Sequence, residues 1–270
     1  MRQFSTYSMA MLVLSVAMFV SSCSTVPVTG RSQINLIPAS TMLSMSYQQY
    51  GDFMKTNQLS RDAAKTQMVQ GVGQRIQRAV ETYFQQKGWS DQLKGYQWEF
   101  NLIESPEVNA WCMPGGKVVV YTGILPITQS EDGLAVVMGH EIAHAIAEHG
   151  NERMSQGLLT ELGGMALNEA LASKPEQTRG LWMTAFGVGA QVGVLLPFSR
   201  LHESEADKLG LIFMAMAGYN PNEAVAFWSR MAAKKSGGSP PEFLSTHPSD
   251  ETRIKDLKAA LPEALQYYKR

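Results

Sequence analysis

Residues 130–150 read SEDGLAVVMGHEIAHAIAEHG, and the fold turns on them. Ser130 is a helix-capping residue type, and Glu131 and Asp132 follow it, where carboxylates face the positive end of a helix dipole. Leu134, Ala135, Val136, Val137, Met138 and Ile142 make the segment apolar on most sides, so the pattern predicts a core helix running to His149 and stopping at Gly150. Inside it lies His140-Glu141-Ile142-Ala143-His144, an HExxH motif. At ~100° per residue the two histidines differ by about 40°, so both imidazoles leave one face of the helix. Neutral imidazole nitrogens suit Zn²⁺, which in a catalytic site takes three protein ligands and keeps one position open. Glu141 stands beside His140 and can reach water on that position as a general base. Two histidines and a glutamate on a buried helix are costly unless they coordinate or pair.

A third ligand is needed. An extended motif with Gly at 147 and His at 150 would supply it locally, but these positions hold Ala147 and Gly150. His149 lies about 140° from His144 on a continuous helix and cannot share the metal, which leaves it a surface or second-layer residue. Downstream stands Ser199-Arg200-Leu201-His202-Glu203-Ser204-Glu205-Ala206-Asp207. Glu203 and Asp207 share one helical face, with Glu205 about 200° and His202 about 100° away from Glu203. Glu203 can then bind zinc while Asp207, one turn on, accepts a hydrogen bond from a ligating histidine.

Around these helices the chain reads as mainly α with a small sheet. Helices are expected over 40–57, 61–86, 199–217 and 222–235, with a last helix capped by Ser249. The glycines at 71 and 73 weaken the second of them. Tyr96–Ile103 alternates and reads as a half-buried strand; Lys117–Tyr121 is a second strand, after a Pro114-Gly115-Gly116 turn. Residues 236–241 are a loop and 243–248 extended. Residues 181–198 are apolar, but their 18 positions include Thr184, Gln191 and Pro197, favouring a buried helix or hairpin over a membrane span.

The chain begins differently. Arg2 is the lone charge of residues 1–22, Met9–Val20 is apolar apart from Ser15, and Ser21-Ser22 precede Cys23. This pattern is expected of an export signal (1–22) cut before a lipidated Cys23, a tether (23–38) and a folded domain (39–270). Composition excludes other classes. Of 270 residues 17% are charged and 44% hydrophobic, which excludes a disordered chain, and a net charge of -1 gives no basic field for nucleic acid. Two cysteines exclude a disulfide scaffold; with Cys23 lipidated, Cys112 is alone and reads as a small buried residue.

HExxH followed by S-R-x-x-E-x-x-A-D at 199–207 resembles the gluzincin metallopeptidases of the CAAX-prenyl-protease, HtpX and Oma group. Asn109-Ala110 with Pro114-Gly115-Gly116, and Thr246-His247-Pro248 with Arg253-Ile254, match two further elements of that group. The resemblance covers roughly residues 40–260. It implies an α+β, mainly α fold with a zincin-type core: the HExxH helix, a second ligand-bearing helix and a small sheet. It implies a zinc endopeptidase with one Zn²⁺ on His140, His144 and Glu203, Glu141 as base, and Asp207 and Arg253 behind the ligands. His247 is expected near the metal, as a donor to the oxyanion or as a fourth ligand that keeps the enzyme latent, against a loop histidine that merely packs. Gly115, Gly116, Val118, Val119 and Val120 are expected to form a sheet edge on which substrate lies as an added strand. Cys23 and the absence of clear membrane helices resemble a periplasmic lipoprotein branch. That implies an anchor in a bacterial outer membrane, with unfolded or misfolded proteins as substrates. The competing class is an assembly factor or chaperone whose zinc is structural and closed by four protein ligands, which leaves Glu141 without a purpose.

Overall fold

The computed structural model describes residues 23–174, 176, 179–180, 183–184, 196–235, 241–247 and 251–269. The expected signal (1–22), most of the apolar stretch 181–198, nearly all of the 236–241 loop, and Pro248 and Ser249 lie outside the described residues. None of the described helices is long and apolar enough to cross a membrane.

The larger of two units comprises Ala39–His149 and Leu196–Arg270. Its helices are α1 (Ala39–Thr56), α2 (Ala63–Lys87), the single-turn α3 (Leu125–Thr128), α4 (Glu131–Ile146), α6 (Leu196–Met216), α7 (Glu223–Lys235), α8 (Glu242–Thr246) and α9 (Glu251–Ala264). Its strands are β3 (Glu99–Ile103), β4 (Ala110–Met113) and β5 (Lys117–Tyr121). The smaller unit holds β1 (Cys23–Thr25) and β2 (Ser32–Ile34), and most of α5 (His149–Ala170). Residues 23–38, expected to be a tether, thus contain an antiparallel pair. They are fixed to α5 by a bidentate bridge from Arg31 to Glu152 at 3.0 and 2.7 Å, by Asn151 donating to the Ile37 carbonyl, and by Leu36 N–H donating to Ser155.

In the larger unit the strand order is β3-β5-β4. This corrects the expectation that 115–121 forms a sheet edge. β5 is the middle strand, parallel to β3 and antiparallel to β4, and all five of its residues are buried. Val118, Val119 and Val120 are spent on the core, as a β-branched run with cover on both faces would be. Gly115 and Gly116 build the hairpin into β4 at φ +89° and +84°, where a Cβ is disfavoured. The free edge on this side belongs to β4, which is the strand packed against α4.

α4 starts as its sequence dictates: Ser130 accepts from the Gly133 N–H at 3.1 Å. It ends early. Ala147 closes it, Glu148 takes φ +56°, and His149 opens α5. Residues 243–246, expected to be extended, are helical in α8. α4 and α6 cross backbone to backbone at two glycines. A Cβ on Gly210 would stand 2.8 Å from the His140 nitrogen and 2.9 Å from the Gly139 carbonyl carbon; one on Gly139 would stand 2.9 Å from the Gly210 oxygen. Gly73 plays a similar part on α2, where a Cβ would enter the Phe100 ring of β3, so this glycine admits packing rather than weakening the helix.

Helix glycines should therefore divide sharply on substitution. Gly210→Ala is expected to lower the thermal midpoint by the equivalent of about 1–3 kcal/mol, because backbone cannot give way as a side chain does. Gly71→Ala, which meets nothing within 4 Å, is expected to raise it by about 0.5–1 kcal/mol through helix propensity. Thermal melts of both variants beside wild type check the pair.

Candidate metal centre

The Gly139–Gly210 crossing places two pairs of side chains face to face: His140 and His144 from α4, Glu203 and Asp207 from α6. His247, at the end of α8, completes the group. Its backbone N–H is tied to the Phe243 carbonyl at 2.9 Å and its ring lies 4.7 Å from the Phe243 ring. His140, His144, Glu203 and His247 each offer one atom to a common point. His140 Nε2 lies 3.1 Å from both His144 Nε2 and His247 Nδ1. Glu203 stands 3.3 Å from His140, 3.2 Å from His144 and 3.0 Å from His247. Donors ~2.0–2.1 Å from a tetrahedral zinc lie about 3.3–3.4 Å from one another. These separations are close to the edges of such a tetrahedron, and the donor set of three imidazoles and a carboxylate is the chemistry zinc prefers.

Behind the ligands stands a second layer. Asp207 Oδ1 lies 2.9 Å from His140 Nδ1, which sets the proton of that ring on Nδ1 and turns the Nε2 lone pair inward. Arg253, from α9, grips Asp207 with Nε and Nη2 at 2.8 and 2.6 Å and reaches Glu203 with Nη1 at 3.2 Å. Its guanidinium carbon lies 3.3 Å from the centre of the Trp228 ring on α7, a stacked placement that lysine could not reproduce.

The electrostatics follow. Burial alone would push the His140 imidazole down, but the carboxylates of Asp207 and Glu203 hold it up at about 9. Burial pushes Glu203 up, and hydrogen bonds from the three surrounding histidines more than reverse this and hold it far below the carboxylate range. Burial lowers His144 well below the ordinary imidazole value. Glu141 is different: burial raises its carboxyl, and its Oε1 has no hydrogen-bond partner among the described residues. The nearest imidazole nitrogen, His247 Nε2, is 3.4 Å away. A buried carboxylate oxygen left like this asks for a proton donor at the point where the four ligand atoms converge.

Of the two places the sequence left to His149, surface or second layer, the structure takes the second: His149 is buried, and Glu205, which the helical period turned away from Glu203, is buried with it. β4 was assigned to no element by the sequence, which marks only the Pro114-Gly115-Gly116 turn after it. It borders the site: the Cys112 thiol is raised by burial and, in smaller part, by the Glu141 carboxyl. Tyr121 N–H donates to the Asn109 carbonyl, so 109/121, 111/119 and 113/117 are the hydrogen-bonded pairs. The amide and carbonyl of Cys112 therefore face away from β5, along the outer side of the sheet.

Comparison with known proteins agrees with this geometry. Residues 72–261 match Peptidase family M48. The chain belongs to peptidase family M48. Its cofactor is zinc, which the His/Glu cluster fits. Relatives include the mitochondrial metalloendopeptidase OMA1 of Schizosaccharomyces pombe, 40% identical over 70% of this chain and 53% of that protein. The human mitochondrial metalloendopeptidase OMA1 is 30% identical over 94% of this chain and 49% of its own length. The beta-barrel assembly-enhancing protease of Escherichia coli is 27% identical over 89% and 48%. The chain thus spans about half the length of these M48 relatives. Their names also correct the expected address. The relatives at 30–40% identity are mitochondrial proteins, which overturns the placement in a bacterial outer membrane.

The Arg253 fork yields a test of this M48 centre. Arg253→Lys keeps the charge but loses the bidentate grip on Asp207, and is expected to raise the zinc dissociation constant by about 10–100-fold. Competition with a chromogenic chelator measures it.

Proposed function

We propose that this chain is a zinc metalloendopeptidase that hydrolyses protein chains presented in extended form, and that it serves the removal of unfolded or misfolded proteins. The observation that carries the reading is Glu141: a buried carboxylate, not required as a ligand, beside a point where His140, His144 and Glu203 converge. Zinc, when bound there, polarises the scissile carbonyl and acidifies water. His140, His144 and Glu203 would hold it, with Asp207 and Arg253 fixing the ligands. Glu141 takes the proton, helped by the burial that raises its carboxyl, and returns it to the leaving amine. The outer edge of β4 at Cys112 offers a backbone donor and acceptor beside this carboxylate, so the substrate strand is better placed on β4 than on β5.

His247 gives the second reading its footing. Its Nδ1 sits among the ligand atoms, and four protein donors would close the metal as in a structural site. The position of Glu141 favours instead a latent enzyme, with His247 filling the open position until its short helix moves.

Two variants test the proposal. Glu141→Gln is expected to retain zinc and lose about 10²–10⁴-fold in peptide hydrolysis, because an amide cannot accept the proton; near-wild-type cleavage would end the peptidase reading. His247→Ala, assayed on a short peptide at matched zinc content, is expected to cleave faster than wild type. A slower variant would make His247 an oxyanion donor, and zinc retention with no cleavage in either wild type or variant would favour the structural metal.

A further inference from the structure

Glu148 breaks the HExxH helix with φ +56°, and the break returns His149 to the helix it has just left. His149 Nδ1 lies 2.9 Å from His144 Nδ1, and His149 Nε2 lies 3.0 Å from Glu205 Oε2. His149 and Glu205 are buried, and the His149 ring stacks on His202 at 4.4 Å between centroids and 21° between planes. Glu205 is two residues beyond Glu203 on α6. The same helix thus sends one carboxylate to the ligand cluster and the other, round its far side, to the back of the cluster.

The geometry points to Glu205 and His149 as a positioning pair that fixes the tautomer of His144 for zinc. This rests on the zinc reading above and extends it. An ionised carboxylate only accepts, so the His149 proton lies on Nε2 and its Nδ1 carries a lone pair. That lone pair accepts from His144 Nδ1–H, which leaves His144 Nε2 unprotonated toward the ligand cluster. Asp207 does the same for His140 directly. The two ligating histidines of the motif are therefore locked by different devices: one by a carboxylate, the other by a carboxylate acting through an imidazole. Without an acceptor at Nδ1, His144 divides between two tautomers, and one of them presents N–H to the metal.

The test uses the full chain, zinc alone as probe, a competing chromogenic chelator, and thermal melts of the zinc-free protein. His149→Phe keeps the ring and removes both nitrogens. It is expected to raise the zinc dissociation constant by about 10–100-fold, and the zinc-free melt falls as well, because the buried Glu205 carboxylate loses its His149 hydrogen bond. His149→Gln carries an acceptor and a donor on one planar group and is expected to restore most of the affinity. Glu205→Gln can donate to His149 and reverse the relay, and is expected to lose affinity as His149→Phe does. Should the phenylalanine variant not fold, the Glu205→Gln and His149→Gln results decide. Wild-type affinity in His149→Phe or Glu205→Gln overturns the relay. So does a His149→Gln variant as weak as His149→Phe with both zinc-free melts lowered, which would mark packing alone. A wild-type chain without zinc affinity would instead bring down the metal reading itself, and the relay with it; His144→Ala, with little affinity, is the control that separates the two.

Discussion

The distance between α4 and α6 is set by backbone meeting backbone at Gly139 and Gly210, and the remainder of the centre depends on that distance. His140 follows Gly139 directly. Glu203 and Asp207 lie on the approach to Gly210 along α6. A methyl group between the helices would move two pairs of ligand-side residues apart by more than their hydrogen bonds tolerate. The apolar residues of α4 explain why the crossing can be so close: the helix is buried on nearly every side, so its position is fixed by packing from all directions rather than by one partner.

The crossing gathers an excess of acid in a region that water does not reach freely. Glu141, Glu203, Glu205 and Asp207 are all buried. Arg253 is the guanidinium set among them, and it is buried as well, stacked on Trp228. The rest of the balance falls to imidazoles, of which His140 is raised to about 9 by the carboxylates of Asp207 and Glu203. A divalent cation at the convergence of the four donor atoms supplies the positive charge that this arrangement is built around. Glu141 stands apart from this network: its Oε1 has no hydrogen bond among the described residues.

Much of this could be read from residue order. Ser130 caps α4, the HExxH spacing puts two imidazoles on one face, and Glu203 and Asp207 meet them because a helical period brings them round together. Where the reading failed, the cause was a local break or a partner distant in sequence. Periodicity assumes an unbroken helix, and Glu148 in a left-handed conformation cancelled that assumption for His149. β4 is four residues long and has no alternation to betray it, since three of its side chains are half-buried; overlooking it turned the central strand β5 into an apparent edge. α8 has five residues, too few to show a helical period, so nothing in residues 243–248 marks it as helical. The N-terminal address was inferred from composition around one cysteine, and relatives with mitochondrial names do not bear it out.

Arg253 has a further consequence, in the order of synthesis. It is 50 residues beyond Glu203 and 113 beyond His140, and His247 is 107 beyond His140. A chain made from its N-terminus carries both motif histidines and Glu203 well before the guanidinium that grips Asp207 has been translated. The centre is thus closed by contacts of very long sequence separation, the slowest class to form. A growing chain of this design therefore lacks the guanidinium that ties Asp207 and Glu203 together until residue 253 has been added, and its ligand-side carboxylates meet one another first without that counter-charge.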